Sequence, residues 1–259
     1  MSKKSGGKST KLVVAAIDFG TTYSGYAFSL ISEKEKVRTN VWRAGSMASL
    51  KAPTVLLLNS DKTLNSFGYD AEDTYTDLVK KKTYKDYYYF HRFKMILRQS
   101  ENIDESTKLD DITGKSVDAL TVFSMSIKYL KKHMLDQLQN ELSGILEKDL
   151  HYILTVPAIW DERSKLFMRK AAVQAGIDTN RLGIALEPEA ASVFCQTLPF
   201  GVDDVGQSAL KEPGAKYVVA DLGGEENYNF SNTIPLLITQ QLSFYFLTRK
   251  ILDNTLHKK

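Results

Sequence analysis

The sequence predicts an α/β fold, and three observations carry that prediction. Short apolar runs of strand length, such as LVVAAI from Leu12 and YVVA from Tyr217, alternate with segments of helical periodicity. Two of these runs end alike, in an Asp, one intervening residue and a Gly: Asp18-Phe19-Gly20 and Asp221-Leu222-Gly223. Between them, Val117, Leu120, Ile127, Leu130, Met134, Leu138 and Leu142 recur at three-, four- and seven-residue steps, the stripe of a core-facing helix.

Leu12 to Ile17 is continuously apolar, as in a strand covered on both faces, and it stops at Asp18. A loose turn, Gly20 to Gly25, leads to an antiparallel partner over Tyr26 to Leu30. Residues 33 to 51 mix charges with turn formers, and 52 to 58 (APTVLLL) form a further strand that Asn59-Ser60-Asp61 ends. The Tyr- and Lys-rich stretch from Tyr69 to Gln99 reads as half-exposed elements packing aromatics on a small subdomain. Base stacking along Tyr87 to Phe90 is the sharper alternative, but the whole-chain charge does not favour it. The helix from Val117 to Leu146 takes Ser116 as its N-cap. A strand follows from His151 to Val156, ended by Pro157, and then a helix from Glu162 to Ala175 with Asp161 as N-cap and Gly176 at C′. Residues 181 to 186 (RLGIAL) are a strand, and Glu187-Pro188 opens another helix. The last strand, Tyr217 to Ala220, ends at Asp221 and is expected to lack sheet neighbours.

Bulk properties narrow the function. Apolar residues make up 43% and charged residues 25% of the 259 positions, as in an ordinary globular protein. A net charge of +3 gives no footprint for nucleic acid, and none is expected as a partner. The single cysteine, Cys195, rules out a disulfide within the chain and suggests a reducing, cytoplasmic setting. The four histidines show no zinc-ligand spacing. Residues 1 to 11 read as a disordered lead-in, and GGKST there is no phosphate loop, because Ser2 holds the required Gly position and no strand precedes it. Near the end, IPLLITQQLSFYFLT has 15 uncharged residues, short of the roughly 20 that a membrane span needs, so no membrane role is expected.

The repeated turn explains its own residue types. Gly lets the backbone approach a phosphate closely, and successive amide N–H groups cradle an anion. Thr21 and Thr22 add hydroxyl donors without negative charge. Asp18 and Asp221 would repel phosphate on their own, and make sense if a hydrated Mg2+ sits between them.

These motifs resemble the actin-like ATPases, specifically the 70-kDa heat-shock protein family. IDFGTTYSG is similar to that family's first phosphate loop, and VVADLGG to the start of its second. ILTVPAIWDERSKLFMRKAAVQAGI resembles its strand, Val-Pro-Ala turn and helix; IALEPEAAS resembles its lobe-joining segment. FGYDAEDTYTDL, FHRFKMIL and ALEPEAASVFC look nearest to the divergent member-12 branch, the 12A/12B type. The resemblance implies a ribonuclease H-like lobe I with the first strand of lobe II. Residues 12–200 would be lobe I with a small inserted subdomain around 40–115, residues 201–224 the connection and start of lobe II, and 225–259 an unmatched tail.

The resemblance also implies roles. Gly20, Thr21, Thr22, Tyr23, Gly223 and Gly224 would contact the phosphates of ATP or ADP. Asp18 and Asp221 would hold Mg2+, and Asp221 would take part in catalysis. Glu187 would be a further acidic group at the metal or the attacking water, and Lys94 would offset charge on the γ-phosphoryl. The pattern breaks at Glu225 and Glu226, where a Gly and a Thr would follow. The chain is therefore expected to be truncated after the second phosphate motif. Losing about three donors at roughly 1.5–3 kcal/mol each weakens nucleotide binding on the order of a thousandfold or more. Weak or absent hydrolysis is the expectation. A non-catalytic interaction or regulatory fragment is the alternative, and a sugar kinase on the same fold a more distant one.

Overall fold

The computed structural model describes residues 12–33, 36–99, 103–195, 218–221 and 236–239. The lead-in, most of the connection and most of the tail lie outside the described residues.

The elements run in this order: β1 (Val13–Phe19), β2 (Tyr23–Leu30), β3 (Arg38–Thr39), β4 (Trp42–Ala44), β5 (Met47–Ser49), β6 (Ala52–Pro53), β7 (Val55–Leu58), β8 (Leu64–Phe67), α1 (Tyr69–Lys80), β9 (Tyr88–His91), α2 (Ile96–Gln99), β10 (Lys108–Asp110), β11 (Ser116–Asp118), α3 (Ala119–Glu141), β12 (Leu150–Val156), α4 (Glu162–Gln174), β13 (Leu182–Leu186), α5 (Glu187–Cys195), β14 (Val218–Asp221) and β15 (Leu236–Thr239).

The α/β architecture expected from the sequence is what the structure shows. One six-stranded sheet has the order β13-β12-β1-β2-β3, with β6 also on β2. β13, β12 and β1 run parallel, so their carboxyl ends share one edge, while β2 returns antiparallel. Alternation splits the apolar run of β1 between two faces. Val13, Ala15, Ile17 and Phe19 join the main core with Phe123, Ile127, Leu130, Met134 and Leu138 of α3 and Phe167, Met168 and Ala171 of α4. Val14 and Ala16 face the other way, with Ile153 and with Ala190 of α5. Helices on both faces explain why β1 is buried throughout.

The aromatic stretch packs as a small unit: β7 lies between β8 and β9, and Tyr75 of α1 stacks on Tyr89 at 4.2 Å. Asp161 caps α4 as expected, accepting from the Ser164 N–H at 2.8 Å, and Gly176 follows with φ of 86°.

Several expectations need correction. β1 continues through Phe19, so Asp18 lies inside the strand, paired in register with Gly25. β2 begins at Tyr23, which shortens the turn to Gly20–Thr22; the backbone pairing with β1 and β6 outweighs the turn propensity of Ser24 and Gly25. α3 begins at Ala119, because Ser116 and Val117 are taken by the β10–β11 hairpin; Ser116 does not cap it. The 52–58 run is two strands, broken at Thr54. β14 does have a neighbour: β15 pairs with it in parallel, Val218 with Leu236 through Asp221 with Thr239. The described part of the apolar tail is thus a strand.

Candidate functional site

The site grows from the shared carboxyl edge of β1, β12 and β13, the position where open α/β sheets form binding crevices. Ile17 pairs with Leu154, so Asp18 stands level with Thr155. Thr155 pairs with Ala185, two residues before Glu187 opens α5. Three adjacent strands therefore deliver Asp18, Thr155 and Glu187 to one edge.

Asp18 is 4% exposed and both of its oxygens are engaged. Thr155 Oγ1 donates to Oδ1 at 2.9 Å, and Lys51 Nζ donates to Oδ2 at 2.7 Å. Burial alone would push this carboxyl up. The Lys51 ammonium and its hydrogen bond, the more distant Lys94 charge and Thr155 together hold it below the usual carboxylate range.

Lys94 sits in a short 3-10 turn, Phe93–Met95, entered through Arg92 in the left-handed region at φ of 51°. Phe93 anchors that turn against Phe19 and Phe123 at ring distances of 6.0 and 5.2 Å. The Lys94 side chain is 3% exposed; its Nζ lies 3.0 Å from Glu187 Oε1 and 4.9 Å from the centre of the Trp160 ring. The structure thus brings Lys94 and Glu187, 93 residues apart, into one ion pair.

The Gly20–Thr22 turn is stitched to the segment that follows Lys51. Thr54 Oγ1 donates to the Gly20 carbonyl at 2.8 Å, the Thr54 N–H donates to the Thr22 carbonyl at 2.8 Å, and the Ser24 and Thr54 hydroxyls meet at 2.7 Å. Gly20 is required here: a Cβ would collide with the carbonyl oxygen of Tyr23. Thr21, Thr22 and Tyr23 line a concavity of about 370 Å³ with Thr54, Tyr89 and Arg92.

Asp221 ends β14 in the backbone, and its side chain lies outside the described residues, as do Gly223 and Gly224. A bound Mg2+ takes carboxylate, water and phosphate oxygens. At Asp18, the one expected metal ligand whose side chain is described, an ammonium already stands against Oδ2. In this arrangement the described residues do not fit that ion.

Lys51, Thr54, Thr155 and Trp160 were not singled out by the sequence. Thr155 had a signal: it is the one polar residue in the run Tyr152–Val156. Lys51 had none, because nothing in the sequence aligns it with Asp18.

Human heat shock 70 kDa protein 12B is 43% identical over 194 residues, covering 72% of this chain and 28% of that protein. Human heat shock 70 kDa protein 12A is 40% identical over 195 residues, covering 72% of this chain and 29% of that protein. Over these residues the chain belongs to the 70-kDa heat-shock protein family, on its 12A/12B branch. A chaperone protein HscA homolog of Acinetobacter baumannii, 28% identical over 222 residues, lies further out in the same family. The chain spans less than a third of the length of these heat-shock relatives. The mixed α/β sheet accords with the actin-like fold of that family. Among solved structures, MreB5 of Spiroplasma citri bound to ADP matches 72% of this chain and 41% of its own at 14% identity and a TM-score of 0.39, a likeness too slight to carry a conclusion. No protein-family model matches the chain.

Proposed function

We propose that this chain is a nucleotide-binding lobe of the heat-shock-70 type that takes the phosphates of ATP or ADP at the Gly20–Tyr23 turn and hydrolyses ATP weakly or not at all. The observation that carries the reading is the turn itself, held open-backboned by Gly20 and stitched by Thr54 beside the buried Asp18. Backbone N–H groups and the Thr21 and Thr22 hydroxyls would donate to phosphate oxygens. Mg2+, where present, would ride on the nucleotide's own phosphates. Lys94 and Glu187 are the pair proposed to act at the γ-phosphoryl, and their mutual bond must open for Lys94 to reach it. Asp221, Gly223 and Gly224 would close the cleft from the far side. Glu225 and Glu226 follow where the resemblance expects a Gly and a Thr, and their two negative charges would disfavour phosphate there, which is the reason for proposing weak binding and poor turnover. The single cysteine supports a cytoplasmic setting; among the described residues no helix is long and apolar enough to cross a membrane.

Titration calorimetry of the full chain with Mg·ATP, paired with a phosphate-release assay, tests this. Expected are a weak saturable isotherm that Gly20→Val abolishes and turnover near the buffer blank. A chain that shows no isotherm and no nucleotide-dependent rise in melting temperature would leave the second reading, a non-catalytic interaction fragment. That reading draws on Lys94 being buried and already paired.

A further inference from the structure

Asp18 already has a cation. Asp18 pairs with Gly25 across β1 and β2. On the other side of β2, Ala52 pairs with Ser24, so Lys51, one residue earlier, stands level with Gly25. Residues level with one another point to the same sheet face. Gly25 contributes no side chain there, and the Lys51 chain crosses over it to place Nζ 2.7 Å from Asp18 Oδ2. The Lys51 side chain is 15% exposed and the Asp18 side chain 6%, so the pair sits at the edge of the core, next to the turn that Thr54 stitches.

We propose that Lys51 takes the place of a metal ion at this strand edge, so that the phosphate turn accepts a nucleotide without Mg2+. The proposal rests on the nucleotide reading above. A lone carboxylate beside a phosphate turn repels its ligand, and a divalent ion is one remedy. An ammonium of fixed sequence position is another: it neutralises Asp18, and as a compact rotatable donor it can bridge carboxylate and phosphate oxygens. The Lys94 charge adds to the positive field at Asp18. A divalent ion at Oδ2 would have to displace Lys51 against like charge, whereas a phosphate approaching Lys51 meets attraction.

The test is calorimetric titration of ADP and of ATP into the full chain, in excess EDTA and in excess Mg2+. Wild type is expected to bind with affinities within about threefold under the two conditions. Lys51→Met keeps the stem and removes the charge; it is expected to lose at least about tenfold in EDTA and to recover part of that with Mg2+, as Asp18 becomes open to the ion. Lys51→Arg, which keeps the charge, is expected to retain binding in EDTA and guards against a Lys51→Met chain that fails to fold. Wild-type binding seen only with Mg2+ overturns this proposal and leaves the nucleotide reading standing. Unchanged binding by folded Lys51→Met in EDTA also overturns it. Binding under neither condition overturns both.

Discussion

Replacing Asp18 by Asn removes a buried charge from the site. The change keeps the shape and an acceptor for Thr155 but leaves the Lys51 ammonium, 2.7 Å away, without its counter-charge. Removing one partner of a buried ion pair costs about 3–5 kcal/mol. Lys51→Met, which strands the Asp18 carboxylate instead, falls in the same range of about 3–5 kcal/mol. The double variant carries neither charge, and replacing a whole pair by neutral groups is often tolerated. We therefore expect the double variant to lose much less than the sum, with a coupling near the upper end of the usual range, about 3 kcal/mol. The assay is equilibrium urea unfolding followed by tryptophan emission and far-ultraviolet circular dichroism. Each single variant is expected to lower the midpoint by on the order of 1–3 M at constant slope. Single variants within about 0.5 kcal/mol of wild type, or a strictly additive double variant, would refute the pair's role.

Other expectations concern the frame around the site. Gly20→Ala should destabilise by roughly 1–3 kcal/mol in the same unfolding assay, because the added Cβ meets the Tyr23 carbonyl and the turn must open. Asp161→Ala removes the α4 cap and should cost about 1 kcal/mol, with faster amide exchange at Ser164; unchanged exchange would count against the cap. Acidification should weaken the fold through His133, whose imidazole accepts or donates at Nδ1 to the Tyr26 hydroxyl at 2.7 Å and stacks on Trp42 at 4.5 Å. Burial lowers its pKa below 6.5, opposed by Asp136 and Asp70, so the folded state binds fewer protons than the unfolded one and stability drops as pH falls through 6.5 toward the lower folded value. The slope attributable to His133, at most about 1.4 kcal/mol per pH unit, should vanish in His133→Gln; an unchanged pH profile would sink the assignment.

The sequence exposed what repeats and what is local. The β1 run, the α3 stripe and the Asp161 cap were all readable, because each depends on neighbours a few residues away. Boundaries were less so: Ser116 looks like a cap until the β10–β11 hairpin claims it, and that pairing is a tertiary fact. At the site, Asp18 and the Gly20 turn stood out by residue type. Lys51 did not, since its significance comes from strand register: two pairings, β1 with β2 and β2 with β6, must both be known before a lysine 33 residues away falls level with Asp18. The Lys94–Glu187 bond was equally hidden, with each residue reading alone as a surface charge.

The place of Trp160 beside the Lys94 ammonium has a practical meaning. An indole senses a nearby charge through the wavelength and yield of its emission, so any ligand that draws Lys94 away from Glu187 should announce itself optically without a label. The other indole, Trp42, lies against His133 and supplies an internal reference that such a ligand should leave unmoved. The protein carries its own gauge of whether its buried lysine ever goes to work.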